Sequence, residues 1–404
     1  MNRKKLLKHS MKVKGFSAAA VQAGVRYQNR LDLGLIYSEV PAVTVGMFTS
    51  NTVQAAPVVL GKKRLLHGKA QAVLVNSGNA NACTGEQGME AALHTSRLTA
   101  TALGIEEEMV QVASTGVIGE QLNLEPFEQG IPQLAKALHD DGFEELSQAI
   151  MTTDTVPKTS SATVEVNGVE VNILGIAKGA GMIMPDMATM LCFVVTDAQI
   201  PFSALQDMVK TGVEHSFNLI TVDGDTSTND TVLVMANGAA ENPWIDEENQ
   251  ESVLIFTDAL HKIFKDLALQ IVSDGEGTTK VVTIRVTGAR SREEAMNGAQ
   301  TIANSALVKT AFYGEDANWG RIIAALGRSG CQFQPEQVSI AFDDVVMVEN
   351  GLGCGKEVEK LASKVLQQKQ FTVTVDLKDG GESAEVFTTD LTCDYVNINA
   401  DYRS

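Results

Sequence analysis

The sequence predicts a mixed α/β protein, because strand-like and helix-like patterns alternate along all of its 404 residues. Uninterrupted apolar runs at 72–76 and 191–196 are typical of strands that are buried on both faces of a sheet. A long helical pattern covers 247–273, and Asn-Gly at 167–168 between two alternating segments indicates a hairpin. The order of these elements gives no clean β-α-β series, so the class is α/β or α+β.

Each element follows from its hydrophobic period and from the residues that bound it. Alternating or continuous apolar residues predict strands at 43–48, 72–76, 109–113, 163–176 (a hairpin), 191–196, 230–235, 281–286, 371–376 and 385–389. A period near 3.6 predicts helices at 87–103, 134–151 with a break at 140–142, 202–213, 247–273, 292–305, 320–326 and 358–368. We expect the last two strands to pair with each other, because Asp379, Gly380 and Gly381 form a turn signal between them.

The charge of the chain excludes two classes of partner. It carries 32 Lys+Arg against 50 Asp+Glu, a net charge of −18, and its pI is near 4.8. Nucleic acids and anionic membranes repel such a surface, and the aromatic residues that stack on bases make up only 5%. The charge is also uneven, since residues 1–188 carry a net −2 and residues 189–404 a net −16. We therefore expect neither a nucleic-acid nor a membrane partner.

Cysteine usage and apolar runs indicate the compartment. The five cysteines are odd in number and far apart, and no CxxC occurs, so neither a disulfide framework nor a zinc site is expected. Reduced thiols fit a cytoplasmic protein. The basic residues between Arg3 and Lys14 are not followed by the apolar core of a signal peptide. We expect a solvated basic start there, with a transit peptide as the alternative.

Several familiar catalytic motifs do not occur in the sequence, among them GxSxG, GxGxxG, GxxxxGK[ST] and HExxH. A Ser-His-Asp triad stays open, because its members need not be close in sequence. Asp223, Asp225 and Asp230 in TVDGDTSTND resemble a calcium loop in composition, but the later Glu of such a loop is missing. We interpret this segment as a polar turn and expect no metal site.

The segment Lys178–Cys192, KGAGMIMPDMATMLC, is the strongest candidate for chemistry. Two glycines follow the lysine, a proline ends any helix, and Thr189 stands directly before an apolar strand. A hydroxyl at the mouth of a buried strand is exposed and yet rigidly held, as a nucleophile must be. The same pattern is also that of a threonine that only caps the strand.

Eight motifs, in order, carry a family resemblance over essentially the whole chain. They are VNSGNANACTG (Val75–Gly85), STGVIG (Ser114–Gly119), MTTDT (Met151–Thr155), KGAGMIMPDMATML (Lys178–Leu191), TVDGDTSTND (Thr221–Asp230), SDGEGTTK (Ser273–Lys280), GEDANWGR (Gly314–Arg321) and DYVNINADYRS (Asp394–Ser404). With them the sequence resembles the ornithine acetyltransferase family, the bifunctional glutamate N-acetyltransferase/amino-acid acetyltransferase enzymes of arginine biosynthesis. One position departs from the family pattern: Asp186 stands where its members usually have Asn. This change puts two properties in question: the hydrogen bonding next to Thr189, the candidate nucleophile, and the rate at which the chain is processed.

The resemblance implies a precursor that cleaves itself between Ala188 and Thr189. Thr189 is then the nucleophile, and its free α-amine, with an ordinary pKa of about 7.7–8.0, is a base on the same residue. Thr189 would take the acetyl group from N2-acetylornithine, release ornithine, and pass the acetyl group to glutamate in a ping-pong scheme. The resemblance assigns the oxyanion hole to Thr115 and Gly116. An ordinary exit from a strand into a turn is the alternative for these two residues.

The resemblance also assigns an amino-acid pocket. Its residues are Thr152, Lys178, Thr189, Glu276, Asn399 and Ser404. The lysine suits a substrate carboxylate, and the glutamate suits the ammonium group of ornithine. Thr153 is the alternative to its neighbour within MTTDT. For the last two residues the alternative is a polar tail that does not reach the site.

The fold and assembly that the resemblance implies are a layered αββα-type sandwich and an α2β2 heterotetramer of two cleaved precursors. The sandwich is similar to that of N-terminal-nucleophile hydrolases, with different connections. Residues 1–188 would form the α chain and residues 189–404 the β chain. No cofactor is implied, and acetyl-CoA stays open as a second acetyl donor. An N-terminal-nucleophile amidohydrolase or aminopeptidase, and an inactive binding protein of the same fold, are the alternative functions.

Overall fold

The computed structural model describes residues 12–184 and 190–401. Its strands are, in chain order, Phe16–Val21 (β1), Leu33–Phe48 (β2), Lys69–Asn79 (β3), Val110–Val117 (β4), Lys158–Val166 (β5), Val169–Lys178 (β6), Leu191–Thr196 (β7), Thr231–Ala236 (β8), Val281–Ala289 (β9), Ser339–Phe342 (β10), Val345–Glu349 (β11), Leu352–Gly353 (β12), Gln370–Asp376 (β13) and Glu382–Thr389 (β14). Its helices are Ala56–Arg64 (α1), Gly85–Leu103 (α2), Glu125–Ala137 (α3), Phe143–Ala149 (α4), Phe202–Glu214 (α5), Gln250–Ser273 (α6), Arg292–Ala303 (α7), Ala306–Tyr313 (α8), Trp319–Gly327 (α9), Lys356–Val365 (α10) and Cys393–Ala400 (α11).

The described residues belong to two compact units, each with a β-sheet of its own. The first unit contains the residues up to 179 together with 190–218 and 226–268, and the second contains 180–184, 219–225 and the residues from 269 onward. The units are therefore not two consecutive halves of the chain, because two short segments of the second unit interrupt the first.

The sheet of the first unit has eight strands in the order β4-β3-β2-β8-β7-β6-β5, and β1 pairs with β2 beside this path. β2 is long enough for two neighbours on one edge, since residues 33–38 pair with β1 and residues 43–48 pair with β8. β7 pairs antiparallel with β6 and parallel with β8. All six residues of β7 are buried, as the continuous apolar run LCFVVT predicts.

Side chains of this sheet alternate between its two faces and form two apolar layers. Leu74 of β3 belongs to a buried cluster with Phe127 of α3. The neighbouring Val73 belongs to a different cluster, with Phe193 of β7 and Phe143 of α4. Because both faces are packed, the ends of β3, β4, β6 and β7 are held in place by the core. The candidate residues of the first unit lie at or next to these ends.

The sheet of the second unit has six strands in the order β12-β11-β10-β13-β9-β14. β9 is parallel to β13 and antiparallel to β14. Val282, Ile284 and Val286 alternate along β9, are fully buried, and join one apolar cluster with Ala299 and Ile302 of α7. This alternation is that of a strand with one face on a helical layer.

The predicted mixed α/β class is confirmed, and most predicted elements occur close to their predicted bounds. The predicted hairpin is also confirmed, because β5 and β6 pair around Asn167 and Gly168. The φ angles of these two residues, 50° and 81°, are the positive values that an Asn-Gly hairpin turn requires. The predicted helix break at 140–142 lies between α3 and α4.

The predicted pairing of the last two strands is wrong. β13 and β14 each pair with β9, which lies between them. The chain after β13 crosses the end of β9, where Leu377 N donates to Thr287 O (2.9 Å) and Asp379 N donates to Gly288 O (2.8 Å). A local turn signal reports a change of direction, but it does not reveal a third strand inserted from elsewhere in the chain. The helix α8 is a further element that the sequence pattern did not predict.

Candidate active site

The predicted oxyanion residues Thr115 and Gly116 lie near the end of β4, beside the end of β3. Ser77 and Gly78 of β3 are their partners in the parallel pairing. A Cβ atom at Gly116 would overlap the backbone of Gly78 and Asn79, and its φ of 135° lies in the region that favours glycine. The two strands therefore approach so closely that only glycine fits at position 116, as a hole lined by backbone N–H groups would need.

Lys178 is the last residue of β6, and only 4% of it is exposed. Its Nζ donates to Thr152 Oγ1 (2.9 Å) and to Thr115 Oγ1 (3.4 Å). Three residues predicted from three separate motifs are thus in contact within the first unit. Of the two threonines in MTTDT, this geometry favours Thr152.

Asp154 compensates the buried charge of this lysine. Its Oδ2 lies 3.8 Å from Lys178 Nζ and accepts from Thr152 N (3.0 Å), while its Oδ1 accepts from Lys158 Nζ (2.7 Å) and from Gly179 N (2.6 Å). Burial would raise the pKa of Asp154, but the charges of Lys178 and Lys158 and these hydrogen bonds outweigh burial, so the net pKa is lowered. Asp154 is therefore a carboxylate near neutral pH. Asp154 stands in the motif MTTDT, but no pattern in the sequence marks it as a site residue.

The second unit holds another pair of predicted pocket residues, Glu276 and Asn399. Asn399 Nδ2 donates to Glu276 Oε2 (2.8 Å). Glu276 N donates to Ala180 O (2.9 Å), and a Cβ atom at Gly181 would overlap the Glu276 carboxylate. Gly181 therefore leaves room for the carboxylate of Glu276.

The helix α11 that carries Asn399 is anchored at its start. Thr392 caps it by accepting from Tyr395 N (3.2 Å) and donates to Gly277 O (2.8 Å), next to Glu276. Asn399 is itself exposed, but residues 393–400 are a helix fixed beside the predicted ligand Glu276 and not a loose polar tail.

Asp223 binds the backbone of Met182 and Ile183 within the second unit, and the sequence patterns did not predict this role. Its carboxylate accepts from Met182 N (2.6 Å) and Ile183 N (2.8 Å), and Val222 N donates to Ile183 O (2.7 Å). Burial raises the pKa of Asp223, against the lowering effect of these backbone donors. The aspartates predicted to form a polar turn thus include one that holds the chain just before the predicted cleavage site.

Three predicted site residues, Ala188, Thr189 and Ser404, lie outside the described residues, as does Asp186. The nearest described position after them is Met190, which precedes β7 and is buried. The first-unit group (Thr115, Gly116, Thr152 and Lys178) and the second-unit pair (Glu276 and Asn399) are the predicted residues that the structure describes.

The described part of the chain contains neither a group of metal-ligating side chains nor a helix that could span a membrane. Between residues 12 and 184 and between 190 and 401, no three His, Cys, Asp or Glu side chains are grouped so as to hold a metal ion. No helix within these ranges combines the length and the apolar character that crossing a membrane requires.

The close approach at Gly116 predicts a large effect of one added methyl group. Gly116→Ala is expected to lower the free energy of unfolding by at least about 2 kcal/mol, because backbone must move and φ is unfavourable for alanine. Gly119→Ala is the matched control in the same motif: Gly119 has a φ of 87°, and nothing lies within 4 Å of an added Cβ. It should cost only about 1 kcal/mol. Equal losses of melting temperature in the two variants would contradict the conclusion that the close approach of β3 and β4 requires glycine at position 116.

The buried charge cluster predicts a pH-dependent loss in Asp154→Asn. This variant removes the negative charge that lies next to both buried lysines and should cost about 3–5 kcal/mol at pH 7. Because the folded-state pKa of Asp154 is lowered, its contribution is complete above the unfolded pKa of about 3.9 and is lost as the pH falls further. The difference in melting temperature from the wild type should therefore be constant from pH 7 to 5 and shrink below pH 4.

The control for Asp154→Asn is Asp266→Asn. Asp266 also pairs with a lysine four residues away, Lys262 (2.9 Å), but this pair is exposed. Its loss should cost no more than about 0.5 kcal/mol at any pH. A loss in Asp154→Asn as small as in the control would contradict the compensating role of Asp154.

Known proteins resemble this chain over nearly its whole length. The profile of the ArgJ family matches residues 17–404. The arginine biosynthesis bifunctional protein ArgJ of Desulfotalea psychrophila is 56% identical over 98% of this chain and 100% of its own, and that of Geobacter sulfurreducens is 51% identical over the same shares. A crystal structure of the arginine biosynthesis bifunctional protein argJ from Bacillus halodurans is 44% identical, covers 52% of this chain and 97% of its own, and gives a TM-score of 0.49. The family profile and the two relatives confirm the family resemblance carried by the eight motifs, and the chain belongs to the ArgJ family.

Proposed function

We propose that this chain transfers the acetyl group of N2-acetylornithine to glutamate through an acetyl ester on Thr189 of a self-cleaved precursor. Membership of the ArgJ family makes the chain an acetyltransferase of arginine biosynthesis. The donor, the acceptor, the covalent intermediate and the cleavage between Ala188 and Thr189 are the proposal.

The observation that carries the proposal is the contact of Lys178 with Thr115 and Thr152. These residues come from three motifs that are far apart in sequence, and they meet in a buried polar group at one end of β6. An ammonium group there, next to hydroxyls, suits the carboxylate of an amino-acid substrate. In the second unit, the carboxylate of Glu276, which accepts from Asn399, supports the recognition of a substrate ammonium group.

The proposed reaction needs a nucleophile, a base and an oxyanion hole. Thr189 Oγ attacks the acetyl carbonyl carbon, and its proton passes to the free α-amine of the same residue. The negative charge that develops on the carbonyl oxygen is stabilised at Thr115 and Gly116. The C–N bond then breaks, the α-ammonium returns the proton to the leaving nitrogen, and ornithine departs. The amine of glutamate attacks the ester by the reverse steps and leaves as N-acetylglutamate.

An N-terminal-nucleophile amidohydrolase or aminopeptidase is the second candidate. It shares the nucleophile, the base and the hole, and it differs only in passing the acyl group to water. Family membership favours transfer, because the curated relatives are named for a biosynthetic pathway.

Acetyl transfer and self-cleavage are tested together with the wild type and Thr189→Ala. We expect the purified wild type to give two fragments on a denaturing gel, with a new N-terminus at Thr189, and to convert N2-acetylornithine and glutamate into ornithine and N-acetylglutamate. Thr189→Ala should remain a single 43.2 kDa chain without activity. Thr163→Ala, which removes an exposed threonine of β5, is the control and should be cleaved and active.

Three outcomes would contradict the proposal. Release of free acetate without N-acetylglutamate would indicate the hydrolase. An uncleaved and inactive wild type would indicate a binding protein. Normal cleavage and turnover of Thr189→Ala would remove Thr189 from the mechanism.

The same assay with acetyl-CoA as the donor tests the second activity. The relatives are named bifunctional, which supports acetyl-CoA as an acetyl donor for glutamate. The α2β2 assembly remains a prediction from the family resemblance, and the cytoplasmic location remains a prediction from the cysteine usage.

A further inference from the structure

Two adjacent side chains, Asn229 and Asp230, lie directly before β8 in the first unit. They are buried, with 7% and 2% of their surfaces exposed. Both belong to the motif TVDGDTSTND, whose composition predicts only a polar turn. Their hydrogen bonds reach three other places in the first unit: just after β3, in β4 and just before β7.

Asn229 binds the backbone beside the predicted oxyanion hole. Its Nδ2 donates to Ala80 O (2.6 Å), just after β3, and to Ser114 O (2.8 Å), in β4. β2 and β3 separate β8 from β4 in the sheet, so this side chain joins strand ends that are not neighbours. The peptide group that contains Ser114 O also contains Thr115 N, and peptide groups are planar. Asn229 thus fixes the orientation of the Thr115 N–H.

Asp230 binds the backbone beside the predicted nucleophile. Its Oδ1 accepts from Met190 N (3.0 Å), and the next residue, Thr231, donates its N–H to Met190 O (3.1 Å). Met190 N belongs to the planar peptide group that begins at Thr189.

We propose that Asn229 and Asp230 are positioning residues of the acyl-transfer site, each fixing a peptide group that adjoins a catalytic residue. Asn229 holds the peptide group of Thr115 in the oxyanion hole, and Asp230 holds that of the nucleophile Thr189. This inference rests on the proposed function. Because the two side chains are consecutive, one short segment sets the distance between hole and nucleophile, which productive geometry requires to be held within about 0.5 Å.

Burial raises the pKa of Asp230 well above its ordinary range, against the lowering effect of the Met190 N–H and the charge of Lys178. The carboxyl group is therefore protonated at pH values where an exposed aspartate is charged. A neutral amide of the same shape can take its place and still accept from Met190 N. A positioning role thus predicts that asparagine, but not alanine, substitutes for Asp230.

The role of Asn229 is tested with Asn229→Asp. The variant keeps the size of the side chain but places a carboxyl oxygen against the carbonyls of Ala80 and Ser114. We expect kcat for acetyl transfer, per cleaved enzyme, to fall about 100-fold or more, because the hole acts on the transition state. KM for N2-acetylornithine should change less than about threefold, since binding of the ground state does not use the hole.

Asn242→Asp is the matched control. Asn242 is also buried, with 2% of its surface exposed; its Nδ2 donates to Pro243 O (2.7 Å) and its Oδ1 accepts from Gln199 N (2.8 Å). Asn242 follows β8, whereas Asn229 precedes it. The substitution Asn242→Asp should change kcat less than about threefold. An equal fall of kcat in the two variants, or a raised KM with unchanged kcat in Asn229→Asp, would overturn the positioning role of Asn229.

The role of Asp230 is tested with a second pair of variants, which also decides the matter if Asn229→Asp does not fold. Asp230→Ala should lower kcat about 100-fold, and Asp230→Asn should restore it to within about tenfold of the wild type. Equal losses in both variants would overturn positioning by Asp230. The wild type separates this inference from the proposed function: if it transfers no acetyl group the function fails, whereas an active wild type with unaffected variants rejects only the inference.

Discussion

The candidate site of the first unit depends on the buried carboxylate of Asp154. A lysine as buried as Lys178 is tolerated only when an opposite charge and hydrogen bonds replace the water that it loses. Asp154 supplies this charge to Lys178 and Lys158 together, and its two oxygens also accept from Thr152 N and Gly179 N. One side chain therefore fixes the lysine, the hydroxyl residue beside it, and the start of the Gly-rich segment.

The remaining parts of the site are backbone groups at strand ends, and their positions follow from the packed sheet. Thr115 and Gly116 lie beside β3 because no side chain fits between the two strands at that point. Asn229 donates to carbonyl groups just after β3 and in β4, and Asp230 accepts from the N–H group of Met190, just before β7. A rigid core behind these ends is what allows polar groups to be held in fixed directions. The chemistry is thus placed by strands, although most of the residues that define it stand in irregular segments.

The sequence predicted those features that depend on local patterns. The buried strand β7 and the Asn-Gly turn at Asn167 are examples, because continuous apolar residues and positive φ angles leave a local signature. The pairing of β13 and β14 with β9 was not predictable from a turn signal, since the inserted strand comes from far away in the chain. Site residues named by motif match include Lys178, Thr115 and Thr152, and the structure brings these three together. Asp154 and Asn229 stand in two of the eight motifs, but their roles depend on partners that only the fold brings near.

The strand order in the sheet of the first unit explains how the two products of the proposed cleavage would stay together. A cut between Ala188 and Thr189 would leave β1–β6 on one product and β7 and β8 on the other. Residues 173–178 of β6 pair with β7, and residues 43–48 of β2 pair with β8, so the strands of the second product lie between strands of the first. All residues of β7 and β8 are buried, so separation would expose the centre of the core. This buried pairing would hold the two products together although their net charges, −2 and −16, have the same sign. We expect the excess negative charge of the second product to favour solubility and to repel anionic partners.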